Sequence, residues 1–138
     1  MKRFVELKWL EDMVFEVDND GQKVMIDANL DQSEKPRGLR PKSLMMVSLA
    51  GCTAIDVVDI LNKMRVKIDG LTISVEGNLR DELPKDYLSM HVSYVFKGKD
   101  LPMEKLERAV ELSKEKYCGV SATLVRAIDL TYAIRVEE

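Results

Sequence analysis

"PKSLMMVSLAGCTAIDVV", residues 41–58, holds a cysteine inside a run with no charged side chain between Lys42 and Asp56. Pro41 suits the first position of a helix, and it pushes Arg40 before it out of helical geometry. From Pro41 to about Val66 the pattern is helical, and through Ala54 it is apolar on nearly every side, as in a helix buried all round. Polar residues keep to one stripe at three- and four-residue spacing: Ser48, Cys52, Asp56, Asp59 and Lys63. Asp59 and Lys63 form the favourable acid-then-base pair at i, i+4. A chain of 138 residues has little with which to wrap such a helix completely, so a dimer built around it is the economical arrangement.

Before this helix the chain reads as short strands. "RFVELKW", "MVFEV" and "KVMID" are rich in β-branched and aromatic residues, and "DNDG" (Asp18 to Gly21) is a strong hairpin turn between the last two. "ANLDQSEKPRGLR", residues 28–40, has no periodicity and reads as a loop. After the helix, "LTISVEGNLR" and "LSMHVSYVF" alternate cleanly. Met90, Val92, Tyr94 and Phe96 share one face of the second run, and "DELPKD" joins the two as a hairpin. "LPMEKLERAVELSKEKY" keeps Leu106, Val110 and Ser113 to one side of an amphipathic helix, and "CGVSATLVRAI" reads as a second short helix starting at Cys118. "DLTYAIRVEE" closes the chain as an alternating strand. The expectation is one α+β domain over residues 1–138.

Composition narrows the function. A net charge of −3 gives no electrostatic reason to bind nucleic acid or an anionic membrane. The longest uncharged run, Ser43 to Ile55, falls short of the ~20 residues a bilayer span needs. The start, "MKRFVELKWLEDMVFEV", carries acids within its apolar stretch and no small-residue cleavage site. The expected location is the cytoplasm, where a cysteine pair is more often catalytic or redox-sensing than a structural disulfide.

Two cysteines are present, Cys52 and Cys118, and one histidine, His91. A zinc site wants closely spaced ligand pairs, which are missing, so neither metal nor cofactor is expected. His91 falls on the polar face of a strand, where a solvated or cross-strand role outweighs that of a base for a thiol. Nucleotide-binding glycine motifs and a serine-hydrolase elbow are absent from the sequence. Paired thiols remain. Cys118 sits where a helix begins, which favours a thiolate, whereas Asp56 one turn after Cys52 opposes ionisation there. Both cysteines as inert packing is the bland alternative. A cation able to activate Cys52 would come from Arg37, Arg40 or Lys42, the nearest in sequence.

"PKSLMMVSLAGCTAIDVV" followed by "EKYCGVSATL" resembles the OsmC/Ohr family, the osmotically inducible and organic hydroperoxide resistance proteins. The shared features are Pro41 and Leu44 at the helix start, Cys52 eleven residues after the proline, and Cys118-Gly119-Val120-Ser121 opening a second helix. The likeness covers nearly the whole chain and looks most like the YhfA-like branch. It implies an OsmC-like fold in an intertwined homodimer, with the cysteine-bearing helices at its centre. It also implies reduction of organic hydroperoxides in oxidative-stress defence. Cys52 would attack and become a sulfenic acid, and Cys118 would resolve it to a disulfide. A dithiol or lipoylated protein would be the reductant. This reverses the order of the thiols that local physics suggests. The peroxidases of the family carry a glutamate directly after the helix-start proline, paired with an N-terminal arginine. Lys42 occupies that position here, and Gly119 stands where the second motif has proline. The competing reading is a non-catalytic dimer that senses redox state or binds a small hydrophobic ligand in a pocket lined by Met45, Met46 and Leu49.

Overall fold

In the computed structural model, which describes residues 1–28 and 35–138, the chain forms two compact units, Met1–Met45 and Met46–Glu138. Part of the loop expected over residues 28–40, residues 29–34, lies outside the described residues.

In the first unit, β1 (Glu6–Glu11), β2 (Val14–Asn19) and β3 (Gln22–Asp27) make an antiparallel sheet in that order. The turn foreseen at "DNDG" is built by two successive left-handed residues, Asp20 (φ 53°) and Gly21 (φ 81°), which match the twist of the flanking strands. Asp18 Oδ1 accepts the Gly21 N–H at 3.0 Å. Downstream, Leu39 makes a parallel bridge to Ile26. Gly38 permits it, because a Cβ there would stand 2.5 Å from the Met25 carbonyl oxygen.

The long helix α1 runs Pro41–Lys63. It ends on Arg65 in the left-handed region (φ 58°), where Arg65 N–H donates to the Asn62 carbonyl and Val66 N–H to the Leu61 carbonyl. That pair of bonds is a Schellman cap, and Leu61 and Val66 both join the core beside it. Asp59 and Lys63 form the expected ion pair, 2.7 Å between Nζ and Oδ2.

The core of the second unit is one side of α1 (Leu49, Val57, Ile60, Leu61) against one face of a sheet. That sheet has the order β4 (Gly70–Leu79), β5 (Tyr87–Lys97), β6 (Asp129–Glu137). β4 and β5 are the foreseen antiparallel hairpin, and β6 joins β5 in parallel. Met90, Val92, Tyr94 and Phe96 are fully buried, as the two-residue period requires. The opposite face of β5 carries His91, whose Nδ1 lies 2.6 Å from Thr131 Oγ1 across the strand pair. α2 (Met103–Leu112) buries Leu106, Ala109 and Val110. A π-helical turn, Ser113–Tyr117, follows, then α3 (Gly119–Leu124).

By length and apolarity α1 passes the test for a membrane span, with a mean hydropathy of 1.9 over its best 18 residues. One side of it packs into the core of the second unit, and it carries charges at Lys42, Asp56, Asp59 and Lys63. Val47 (51%), Ile55 (73%) and Val58 (41%) are exposed on another side.

Candidate functional site

Cys52 and Asp56 are one turn apart on α1, so their side chains share a face. Cys118 arrives from the other direction. The π turn ends there with extended backbone (φ −78°, ψ 103°), and Cys118 N–H donates to the Ser113 carbonyl at 2.8 Å. Its sulfur caps α3 by accepting the Ser121 N–H at 3.3 Å. Ser113 Oγ donates to Asp56 Oδ2 at 3.0 Å. Cys52 Sγ, Cys118 Sγ and a carboxylate oxygen of Asp56 therefore lie within 4.8 Å of one another. With three donors, the set is one short of a closed structural zinc centre.

The two thiols differ in access. Cys118 is 3% exposed, whereas Cys52 is half-buried. Burial pushes the Cys118 thiol up; hydrogen bonds from Ser121 oppose the shift, and the neighbouring Cys52 thiol adds to it. The helix-start expectation of an acidic Cys118 is thus overturned, because desolvation outweighs what a helix of six residues can supply.

Two tyrosines complete the surroundings. Tyr94 is fully buried, and its hydroxyl has no hydrogen-bond partner among the described residues. Burial pushes its phenol up to about 12, with Thr53 opposing. Thr53 Oγ1 itself bonds the Leu49 carbonyl at 2.9 Å. The Tyr132 ring stacks on Tyr94 with centroids 6.3 Å apart, and its hydroxyl lies 3.5 Å from Ser121 Oγ. Burial raises the Tyr132 phenol as well. Two clefts reach the cluster. One of about 320 Å³ is bordered by Asp56, Ile60, Leu112 and Tyr117, and another of about 370 Å³ by Ser121, Val125, Leu130 and Tyr132.

The other residues singled out from sequence are placed as follows. Leu49 is fully buried in the core, Met46 packs against that core, and Met45 is 43% exposed. Arg37, in the first unit, sits among acids: its guanidinium is 3.4 Å from Asp12, 3.6 Å from Asp27 and 3.8 Å from Glu11. Arg40 and Lys42, exposed, flank Pro41 at the helix start. Asp56, Ser113, Ser121 and the two tyrosines were not anticipated as members of the site. The signal for two of them was present: Asp56 shares the polar stripe of Cys52, and Ser113 continues the apolar face of Leu106 and Val110 just past the end of α2.

Known proteins resemble this chain in sequence and in fold. The family model described as OsmC-like protein matches residues 31–133. The chain belongs to the OsmC-like family. Protein YhfA of Escherichia coli K12 is 30% identical over 131 residues, 94% of this chain and 95% of that protein. A hypothetical protein from Aquifex aeolicus VF5 superposes with a TM-score of 0.87 at 30% identity, over 99% of this chain and 97% of the other. An organic hydroperoxide resistance protein from Elizabethkingia anophelis shares the fold at 9% identity, with a TM-score of 0.73 over 99% of each chain.

Proposed function

We propose that this OsmC-like protein reduces hydroperoxides with Cys52 as the attacking thiol and Cys118 as the resolving one. The observation that carries this reading is an accessible sulfur and a buried sulfur within 4.8 Å of each other. A Cys52 thiolate attacks the outer peroxide oxygen. The O–O bond breaks, the alkoxide leaves and takes up a proton as alcohol, and Cys52 becomes a sulfenic acid. The Cys118 sulfur then displaces the hydroxyl, which departs as water, and a disulfide forms. An external dithiol, a small molecule or a lipoylated protein, is oxidised to its own disulfide as it returns both cysteines to thiols.

The thiolate of Cys52 calls for a nearby positive charge, and Arg37, Arg40 and Lys42 are its candidate sources. The cleft beside Ser121, lined in part by Val125, Leu130 and Tyr132, favours an organic substrate over hydrogen peroxide. The setting proposed is the cytoplasm, as a homodimer. The test is consumption of cumene hydroperoxide and hydrogen peroxide with dihydrolipoamide as reductant. Turnover lost in Cys52→Ser, and faster for the organic peroxide in the wild type, supports the reading. Equal rates for wild type and Cys52→Ser overturn it.

A further inference from the structure

Resolution needs a proton to move, and the thiol that must lose it is held in its neutral form. Cys118 is buried, and its nearest ionisable neighbours are Cys52, Asp56 and the phenols of Tyr94 and Tyr132. Lys114 Nζ stands over the Tyr132 ring, 4.8 Å from its centroid, and Lys63 lines the same cleft as Asp56. Of these groups Asp56 alone carries a carboxyl side chain, a type that serves as a general base. Its carboxylate oxygen lies within 4.8 Å of both sulfurs, a gap that a side-chain rotation or one water closes. Ser113 Oγ fixes the carboxylate at 3.0 Å, and the Ser113 carbonyl fixes the Cys118 backbone at 2.8 Å. One residue of a π turn thus sets the acid and the thiol against each other, at the kind of helix irregularity often found in functional sites.

We propose that Asp56 is a catalytic residue for the resolving step. Its carboxylate takes the proton of the Cys118 thiol as that sulfur attacks Cys52, and returns it to the departing hydroxyl. The inference rests on the disulfide-forming reading above. Its balance is simple: Cys52–SOH and Cys118–SH give the disulfide and one water, and Asp56 ends as it began. In the reverse sense, the protonated carboxyl can supply the proton that Cys118 needs when the external dithiol opens the disulfide. Ser113 is a positioning residue.

The test separates this role from peroxide chemistry. Reduced full-length protein is mixed with excess dithionitrobenzoate, which reacts first at the accessible Cys52 and releases one thionitrobenzoate. Attack by Cys118 on that mixed disulfide then releases a second. In Asp56→Asn, a near-isostere that can still accept from Ser113, the first release is expected to be as fast as in wild type or faster, because the carboxylate one turn from Cys52 is gone. The second is expected to slow by roughly 10²-fold, the usual worth of a positioned base. Asp56→Glu should recover part of the loss, and Ser113→Ala should fall between. A carboxylate that merely burdens Cys118 by like-charge repulsion predicts the reverse, since its removal would make Cys118 more acidic. A second release unchanged or faster in Asp56→Asn overturns the proposal. With cumene hydroperoxide in place of the reagent, dimedone should trap a Cys52 sulfenic acid in Asp56→Asn that wild type resolves too quickly to capture. Absence of any sulfenic acid in either protein, beside a slowed second release, overturns the peroxide reading and leaves the assignment of Asp56 supported.

Discussion

Ser113 donates its hydroxyl to Asp56 Oδ2 at 3.0 Å, and it does so from a position with no exposed surface. The bond crosses from the π turn to the middle of α1. Ser113→Ala removes the donor but leaves the half-buried carboxylate in place, so the desolvation of that oxygen is no longer offset. A loss of about 1–3 kcal/mol is expected, read as a lower urea midpoint with an unchanged slope. A substitution on the exposed side of the same turn, Lys116→Ala, should change the midpoint little.

Alkaline pH should weaken the protein in two stages. Cys118 and Tyr94 both have folded-state pKa values above their unfolded ones. Each therefore contributes stability that is complete below the unfolded pKa and is lost as pH rises through the folded one. For Cys118 the decline begins near the ordinary thiol value of about 8.5. For Tyr94 it begins near about 10 and runs to a folded value of about 12. Urea unfolding between pH 7 and pH 11 should show the decline, and Tyr94→Phe should flatten the part above pH 10. Tyr94→Phe should also cost little at pH 7, because it deletes a buried hydroxyl that meets hydrogen-bond geometry with no partner among the described residues. A stability profile flat to pH 11 would contradict both assignments.

Gly77 lies under the ring of Tyr87 on the neighbouring strand. A Cβ there would stand 2.6 Å from Tyr87 Cε1 and 3.1 Å from Met46 Sδ. The buried ring has to shift to admit it. Gly77→Ala is expected to cost about 1–3 kcal/mol by overpacking, measured by thermal or urea unfolding. Gly119→Ala meets nothing within 4 Å and serves as the neutral comparison.

Local pattern made most of the fold legible. Alternation fixed the buried face of β5, "DNDG" fixed a turn, and Pro41 fixed the start of α1, since each depends on neighbours within a few residues. The end of α1 was placed at about Val66, three residues beyond Lys63, because the left-handed cap falls on Arg65, a side chain that carries no glycine-like warning. The two cysteines were legible as a pair by elimination, and their roles only through the family resemblance. The acidity of Cys118 was misjudged locally, because its burial is a tertiary property that no helix-start rule contains. The membership of Asp56 and Ser113 depends on a contact between residues 57 apart in sequence. Spacing within either helix could not show it.

The exposed side of α1 gives the last prediction. Val47, Gly51, Ile55 and Val58 recur at helical spacing on one side, with Ile55 73% exposed and Gly51 open to any added side chain. An exposed apolar stripe of this length suits an association surface, and the missing Cβ at Gly51 leaves room for a second helix to approach closely. In the proposed homodimer this stripe packs against its symmetry copy, so residue 55 of each chain is desolvated. Ile55→Glu then places two carboxylates in one apolar interface, which costs far more than the lost contact alone. The variant should sediment as a monomer at concentrations where the wild type is a dimer. Its circular dichroism should be unchanged, because Ile55 takes no part in the buried core of its own chain. Wild type sedimenting as a monomer up to about 100 μM, roughly 5 kcal/mol of association free energy, would remove the dimer from the proposal.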